Sequence, residues 1–169
     1  MAHDWLPRAL LSPQPPWILC GTVPTPPGDA DEDGSGVRLV CIDGAETSTE
    51  AEMHHQFVER FEFPEYYGRN WDALYECLTD LSWSPAEAYI VDVAHSSRLL
   101  WRQRRSIDVL LDVLSSAGEA WALPASRGWP VDEHKVPFHV VLHDSELTAN
   151  ELMNLYSSLG VPLSILSPV

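Results

Sequence analysis

The sequence predicts an α/β fold in which helices cover a parallel sheet. Three observations carry this reading. Residues 37–42, 88–93 and 137–142 are apolar almost throughout and rich in β-branched side chains, as strands buried on both faces are. The segments between them place apolar residues at helical spacing. Strands and helices alternate along the chain, the order from which a parallel sheet with crossover helices is built. A chain of 169 residues, 45% hydrophobic and 21% charged, is about one domain long and can bury a sizeable core.

Each element has its own signal. Residues 1–36 read as a proline-rich arm with an acidic loop: seven of the 14 prolines lie from Pro7 to Pro27, and Asp29, Asp31, Glu32 and Asp33 stand among glycines. One apolar run in the arm, 17–23, reads as an edge strand. The strand at 37–42 closes on the turn pair Asp43-Gly44. Thr49 and Glu52 form a capping-box pattern for a helix carrying Met53, Phe57, Val58 and Phe61, and Pro64 ends it. Gly68 is expected at positive φ between helices. Asn70 suits the N-cap of the second helix, and Asp72 suits its first turn. After the strand at 88–93 come a short helix around Arg98 and a stronger one over 106–117. The stronger one aligns Ile107, Leu110, Leu111 and Leu114, and is expected to stop at Gly118. A Pro- and Gly-rich loop leads to the strand at 137–142. Residues 145–169 read as a further helix, 148–159, and a last strand, 161–166, packed on the same domain.

Charge and motifs narrow the function. With 25 acidic and 10 basic residues, the formal net charge is -15 and the pI about 4.6. Nucleic acid and anionic lipid both require a positive footprint, so neither is the expected partner; a basic protein is. Arg98, Arg102, Arg104 and Arg105 read as an exposed arginine-rich turn. Cys20, Cys41 and Cys77 have no paired spacing and are expected to be buried, reduced thiols, which fits a cytoplasmic location. The first residues lack a secretory pattern, and no apolar run is long enough to span a membrane. No phosphate-loop, dinucleotide, zinc-protease, nucleophile-elbow or CxxC pattern occurs. His134, His139 and His143 do not assemble a metal-ligand pattern, so neither metal nor cofactor is expected. His54 is expected at the edge of the core. Cys77 falls on an inward helical phase, which argues against a nucleophile.

The segment from Phe63 to Leu81 carries the functional signal. Leu74, Cys77, Leu78 and Leu81 form a core stripe, while Asp72, Tyr75, Glu76 and Thr79 repeat the spacing on the opposite side. Tyr66, Tyr67 and Trp71 lie just upstream. Aromatic area beside fixed charge on a solvent face is what a protein-binding surface needs. A paired-carboxylate catalyst at Asp72 and Glu76 would need a concave, desolvated setting that an outward helix face does not supply. No enzyme activity is expected.

The run from Pro64 to Thr79, with Tyr66, Tyr67, Gly68, Asn70, Asp72, Ala73, Leu74, Glu76, Cys77 and Leu78, resembles the signature of barstar-like ribonuclease inhibitors. The likeness extends more weakly over residues 37–144. It implies a small three-stranded parallel sheet covered by helices, to which the arm and tail would add edge strands. It also implies an intracellular protein that plugs the active site of a basic ribonuclease or ribonuclease-like toxin. Carried over by position, the partner-binding residues are Tyr66, Asn70, Trp71, Asp72, Tyr75, Glu76 and Thr79. Glu76 stands where the family's best-studied member has an aspartate that reaches the enzyme's phosphate site. Tyr75 stands where that member has tryptophan, and Arg69 where it has an acid. Asp112 of a later helix is a further acidic contact in this reading. The alternative is a module of the same scaffold that neutralises a toxin other than a ribonuclease, or regulates another protein. A chain starting near Ser35 is expected to keep the binding face. The oligomeric state is not legible in the sequence.

Overall fold

The computed structural model describes residues 5–24, 36–123 and 134–167. Its strands are β1 (Ile18–Cys20), β2 (Val37–Asp43), β3 (Ala88–Ala94), β4 (Phe138–Leu142) and β5 (Leu163–Ile165), and its α-helices are α1 (Glu50–Phe61), α2 (Trp71–Asp80), α3 (Ile107–Ala122) and α4 (Ala149–Tyr156). The strands form one sheet in the order β2-β3-β4-β1-β5. Every pairing is parallel, with Cys41 opposite Asp92, Val91 opposite Val140, and Ile18 opposite both Val140 and Leu163. The predicted class is the observed one. The acidic loop at 28–33 and most of the Pro- and Gly-rich connection before β4 lie outside the described residues.

Strand alternation divides the core in two. On one face Ile18, Cys20, Val40, Ile42, Tyr89, Val91, Val93, Phe138, Val140 and Leu142 meet apolar residues of all four helices. On the other, Leu19, Val37, Ile90 and Val141 pack with Leu6 and Leu10 of the arm and with Leu166 of the tail. The tail supplies an edge strand, as expected. The arm does more, because β1 lies between β4 and β5. A chain starting near Ser35 would therefore lose an interior strand and the cover of one sheet face, and the expectation that it keeps the binding face is revised accordingly.

Local chemistry explains the helix ends that place the site. Thr49 Oγ1 accepts from Glu52 N at 3.3 Å, and Glu52 Oε2 accepts from Thr49 N at 3.1 Å, closing the capping box of α1. Asn70 Oδ1 accepts from Ala73 N at 2.8 Å at the head of α2. The positive φ between the two helices falls on Glu62 (55°) and Arg69 (49°) rather than on Gly68. A Cβ at Gly68 would lie 2.9 Å from Asn70 Nδ2, the far end of the side chain that caps α2. Helix α3 runs through Gly118 to Ala122. Gly118 does not stop it, because its bare Cα is the seat of Trp17 from the arm. The Trp121 indole donates to Leu78 O at 2.8 Å, tying α3 to a carbonyl in the last turn of α2. Residues around Arg98 form short 3-10 turns.

Cys20 and Cys77 are buried as expected, but Cys41 is exposed. It sits on the outermost strand, on the sheet face opposite the helices, where the arm's apolar cover reaches Val37 and Leu39 only.

Candidate functional site

The turn between α1 and α2 sorts two adjacent tyrosines in opposite directions. Tyr67 is buried, its ring 4.9 Å from Phe63, and its hydroxyl shares a 2.5 Å hydrogen bond with His54 Nδ1. Tyr66 is 74% exposed. The sequence set both just upstream of the α2 face and assigned only Tyr66 to the partner; Tyr67 belongs to the core, where Tyr67 N donates to Pro64 O. Burial pushes the Tyr67 phenol well above its usual pKa, with Cys77 adding to the rise and Arg69 opposing it. Burial also holds His54 below its usual value, with Glu50 opposing and Arg69 assisting. The pair therefore stays neutral at pH 7 and fixes the base of α2 without carrying charge into it.

Trp71 packs against His54 with ring centroids 5.4 Å apart and the rings tilted, and is half-buried. Asn70 is exposed, but its amide is occupied: the oxygen caps α2, and Nδ2 donates to Gly68 O at 3.3 Å. Thr79 is half-buried and turned onto its own helix, where Oγ1 donates to Tyr75 O at 2.8 Å and to Glu76 O at 3.2 Å. That leaves Asp72, Tyr75 and Glu76 as outward side chains of α2. None of the three has a side-chain hydrogen bond or ion pair among the described residues.

Glu76 also faces the turn. Together with Tyr66, Tyr67, Ala73, Cys77 and Asp80 it lines a shallow cleft of about 240 Å³. Sequence reasoning missed Asp80. Its signal was the i+4 spacing from Glu76, but it reads as the polar end of a helix until the fold brings Tyr66 across from it. Cys77 forms part of this cleft, and its thiol is pushed up to about 11 by burial, with Asp80 and Glu76 adding to the rise. A thiol so protonated is no nucleophile at neutral pH.

Other sequence candidates are placed elsewhere. Asp112 lines a different cleft, with Trp17, Ser115 and Glu119. His139 is buried, with Nε2 2.8 Å from Ser12 O, and His143 pairs with Asp92 across 3.1 Å. Among the described residues no group of three His, Cys, Asp or Glu side chains gathers to hold a metal. No helix among them is long and apolar enough to cross a membrane.

Fold and site together describe an α/β domain whose second helix turns an acidic and aromatic side outward. A family model described as Barstar (barnase inhibitor) matches residues 37–143, which contain β2 through β4 and all of α2. The chain belongs to the barstar family. A protein of Bacillus subtilis (strain 168) described as "Putative ribonuclease inhibitor YrdF" is 31% identical over 83 residues, 49% of this chain and 88% of that protein. Strand β1 and the α4–β5 tail lie outside the family match.

Proposed function

We propose that this chain is a cytoplasmic inhibitor of a basic ribonuclease and blocks the enzyme's active site with α2. The observation that carries this is the outward Asp72, Tyr75 and Glu76 of α2, with exposed Tyr66 beside them, inside the family-matched segment. Fixed carboxylates on a rigid helix can occupy an Arg, Lys and His cluster that otherwise holds substrate phosphate. The protein needs no reaction chemistry of its own for this, and a charge of -15 would draw a basic partner in. The reading assigns direct contact to Tyr66, Asp72, Tyr75 and Glu76, and supporting contact to Asn70, Trp71 and Thr79, whose polar groups or ring surfaces are partly engaged within the fold.

A second target class is favoured by one observation. Arg69 is exposed at the head of α2 without a hydrogen bond or ion pair among the described residues, and it sets a positive charge beside the acidic face. A partner fitted to it would carry an acid there, which suits a toxin other than a ribonuclease or a regulated protein.

Calorimetric binding and ribonuclease inhibition of Glu76→Ala, Asp72→Ala and Thr79→Ala test the proposal, with melting temperature as the control. Glu76→Ala is expected to cost about 2–5 kcal/mol of binding, a range for truncating one member of a buried charge pair to which inhibitors of this family themselves contribute. Asp72→Ala should cost less and Thr79→Ala least, with all three folds intact. Unchanged binding by Glu76→Ala would sink the phosphate-mimic mechanism.

A further inference from the structure

The arm docks on α3 so as to leave a cleft of about 410 Å³ between them, inside the size range of small-molecule sites, about 300–1,000 Å³. Pro15, Pro16 and Trp17 of the arm and Pro162 of the tail give it an apolar wall, and these segments lie outside the family match. The facing wall is the outer side of α3, with Asp112 and Glu119 two turns apart and Ser115 and Ser116 between them. Lys135, on the approach to β4, belongs to the same lining, to which α2 contributes nothing. Asp112, Glu119 and Lys135 are exposed, and none has a side-chain hydrogen bond or ion pair among the described residues. Charges of both signs therefore line one cleft without pairing across it. Trp17 adds an independent sign. It is 8% exposed, and a buried indole ordinarily finds an acceptor. Trp83 and Trp121 do so, donating to Phe61 O and Leu78 O, whereas the Trp17 N–H has no acceptor among the described residues.

We infer that this cleft binds a small zwitterion of dipeptide size. Its ammonium end meets Asp112 and Glu119, and its carboxylate end meets Lys135 and the Trp17 indole N–H. A simple cation would be opposed by Lys135, and a simple anion by the two carboxylates. A molecule with both charges satisfies all three groups at once. The length also fits: Asp112 and Glu119 stand about 10 Å apart along the helix axis, and two extended residues span about 7 Å. The hydroxyls of Ser115 and Ser116 can donate to or accept from the peptide group between the ends. An apolar side chain of the ligand lies against the proline rings, as in sites where apolar walls supply area and a few polar groups fix orientation. Each exposed ion pair contributes little alone, so holding the ligand takes both ends together, which selects against molecules with one charge. The site is independent of the reading of α2 as the partner-binding helix.

Glycyl-L-phenylalanine is the probe. Its N-acetyl form lacks the ammonium, and its C-terminal amide lacks the carboxylate. Titrated into the full chain at low ionic strength, the dipeptide should shift the Trp17 indole N–H and the backbone amides of residues 112–119 in a saturable way. Each blocked form should bind roughly two- to five-fold more weakly, the factor one exposed ion pair supports. Lys135→Gln should weaken the dipeptide by a similar factor and leave the C-terminal amide unaffected. The double change Asp112→Asn with Glu119→Gln should weaken the dipeptide and leave the N-acetyl form unaffected. All three side chains are exposed, so the variants should melt with the parent and report binding alone. Absence of a saturable shift, shifts centred away from the cleft, or equal affinity for the three ligands would overturn the inference. So would a Lys135→Gln loss as large for the C-terminal amide as for the dipeptide, because the carboxylate would then not be what Lys135 meets.

Discussion

Replacing Gly118 by alanine tests whether the arm is part of the folded unit. Gly118 lies inside α3, where alanine is ordinarily favoured over glycine by about 1 kcal/mol. Here the added Cβ would lie 2.6, 2.7 and 2.8 Å from Cγ, Cβ and Cδ2 of Trp17, roughly 1 Å inside the normal carbon–carbon separation of about 3.5–4.0 Å. Trp17 cannot swing clear. It is buried, its carbonyl accepts from Val140 N at 2.8 Å, and its ring lies 5.6 Å from that of His139. Overpacking of this kind costs about 1–3 kcal/mol. With three ring and stem atoms to displace, the upper part of that range applies, leaving a net loss of about 1–2 kcal/mol after the gain in propensity. For a domain of this size that lowers the melting temperature by about 2–8 °C. In a Trp17→Leu background the methyl has space, so the sign of Gly118→Ala should reverse. Urea and thermal unfolding of the four proteins form a double-mutant cycle. If Gly118→Ala stabilises the parent, or the two changes add within about 0.5 kcal/mol, Trp17 does not pack on α3 and the arm is not held as described.

Three further outcomes are expected. Association with a basic partner should slow as salt rises toward physiological strength while dissociation changes much less; a flat association rate would remove long-range attraction from the mechanism. Acid should destabilise the fold as pH falls below about 6.5, the ordinary imidazole value, because burial holds His54 and His139 below it and both must remain neutral. His143 opposes this: its hydrogen bond to Asp92 raises its pKa against the effect of burial. Its contribution is therefore full below about 6.5 and is lost as pH rises through the raised folded value. Asp92→Asn should then steepen the loss of urea midpoint between about pH 7 and 5; an unchanged slope would exclude the pair as a pH-dependent contact. A chain starting at Ser35 should lose its cooperative melt, since β1 is removed from between β4 and β5 and the face of Ile90 and Val141 is uncovered; a sharp transition near the parent's would show the arm to be dispensable.

Properties that depend on neighbours along the chain were legible in the sequence. Capping side chains reach their own first turn, so Thr49, Glu52 and Asn70 announced the starts of α1 and α2. Helical phase alone turned Leu74, Cys77 and Leu78 inward and Asp72, Tyr75 and Glu76 outward. Apolar strands buried on both faces marked the parallel sheet, and the run from Pro64 to Thr79 indicated the family. Tertiary structure decided whatever depends on what arrives from elsewhere. Of two adjacent tyrosines, Tyr67 went inward because His54 and Phe63 were there to receive it, leaving Tyr66 outside. Gly118 continued α3 rather than ending it, because an indole from the arm occupies the space a side chain would fill. The short run around Ile18 became an interior strand because the back face of the sheet needed cover that Leu6 and Leu10, on the same arm, supply. Asp80 joined Glu76 and Tyr66 in one cleft only when the turn after α1 folded over α2. Local hydrogen bonding and helical phase act over a few residues and can be read in order. Burial and close approach act between residues far apart in the chain, and only the folded arrangement determines which of them meet.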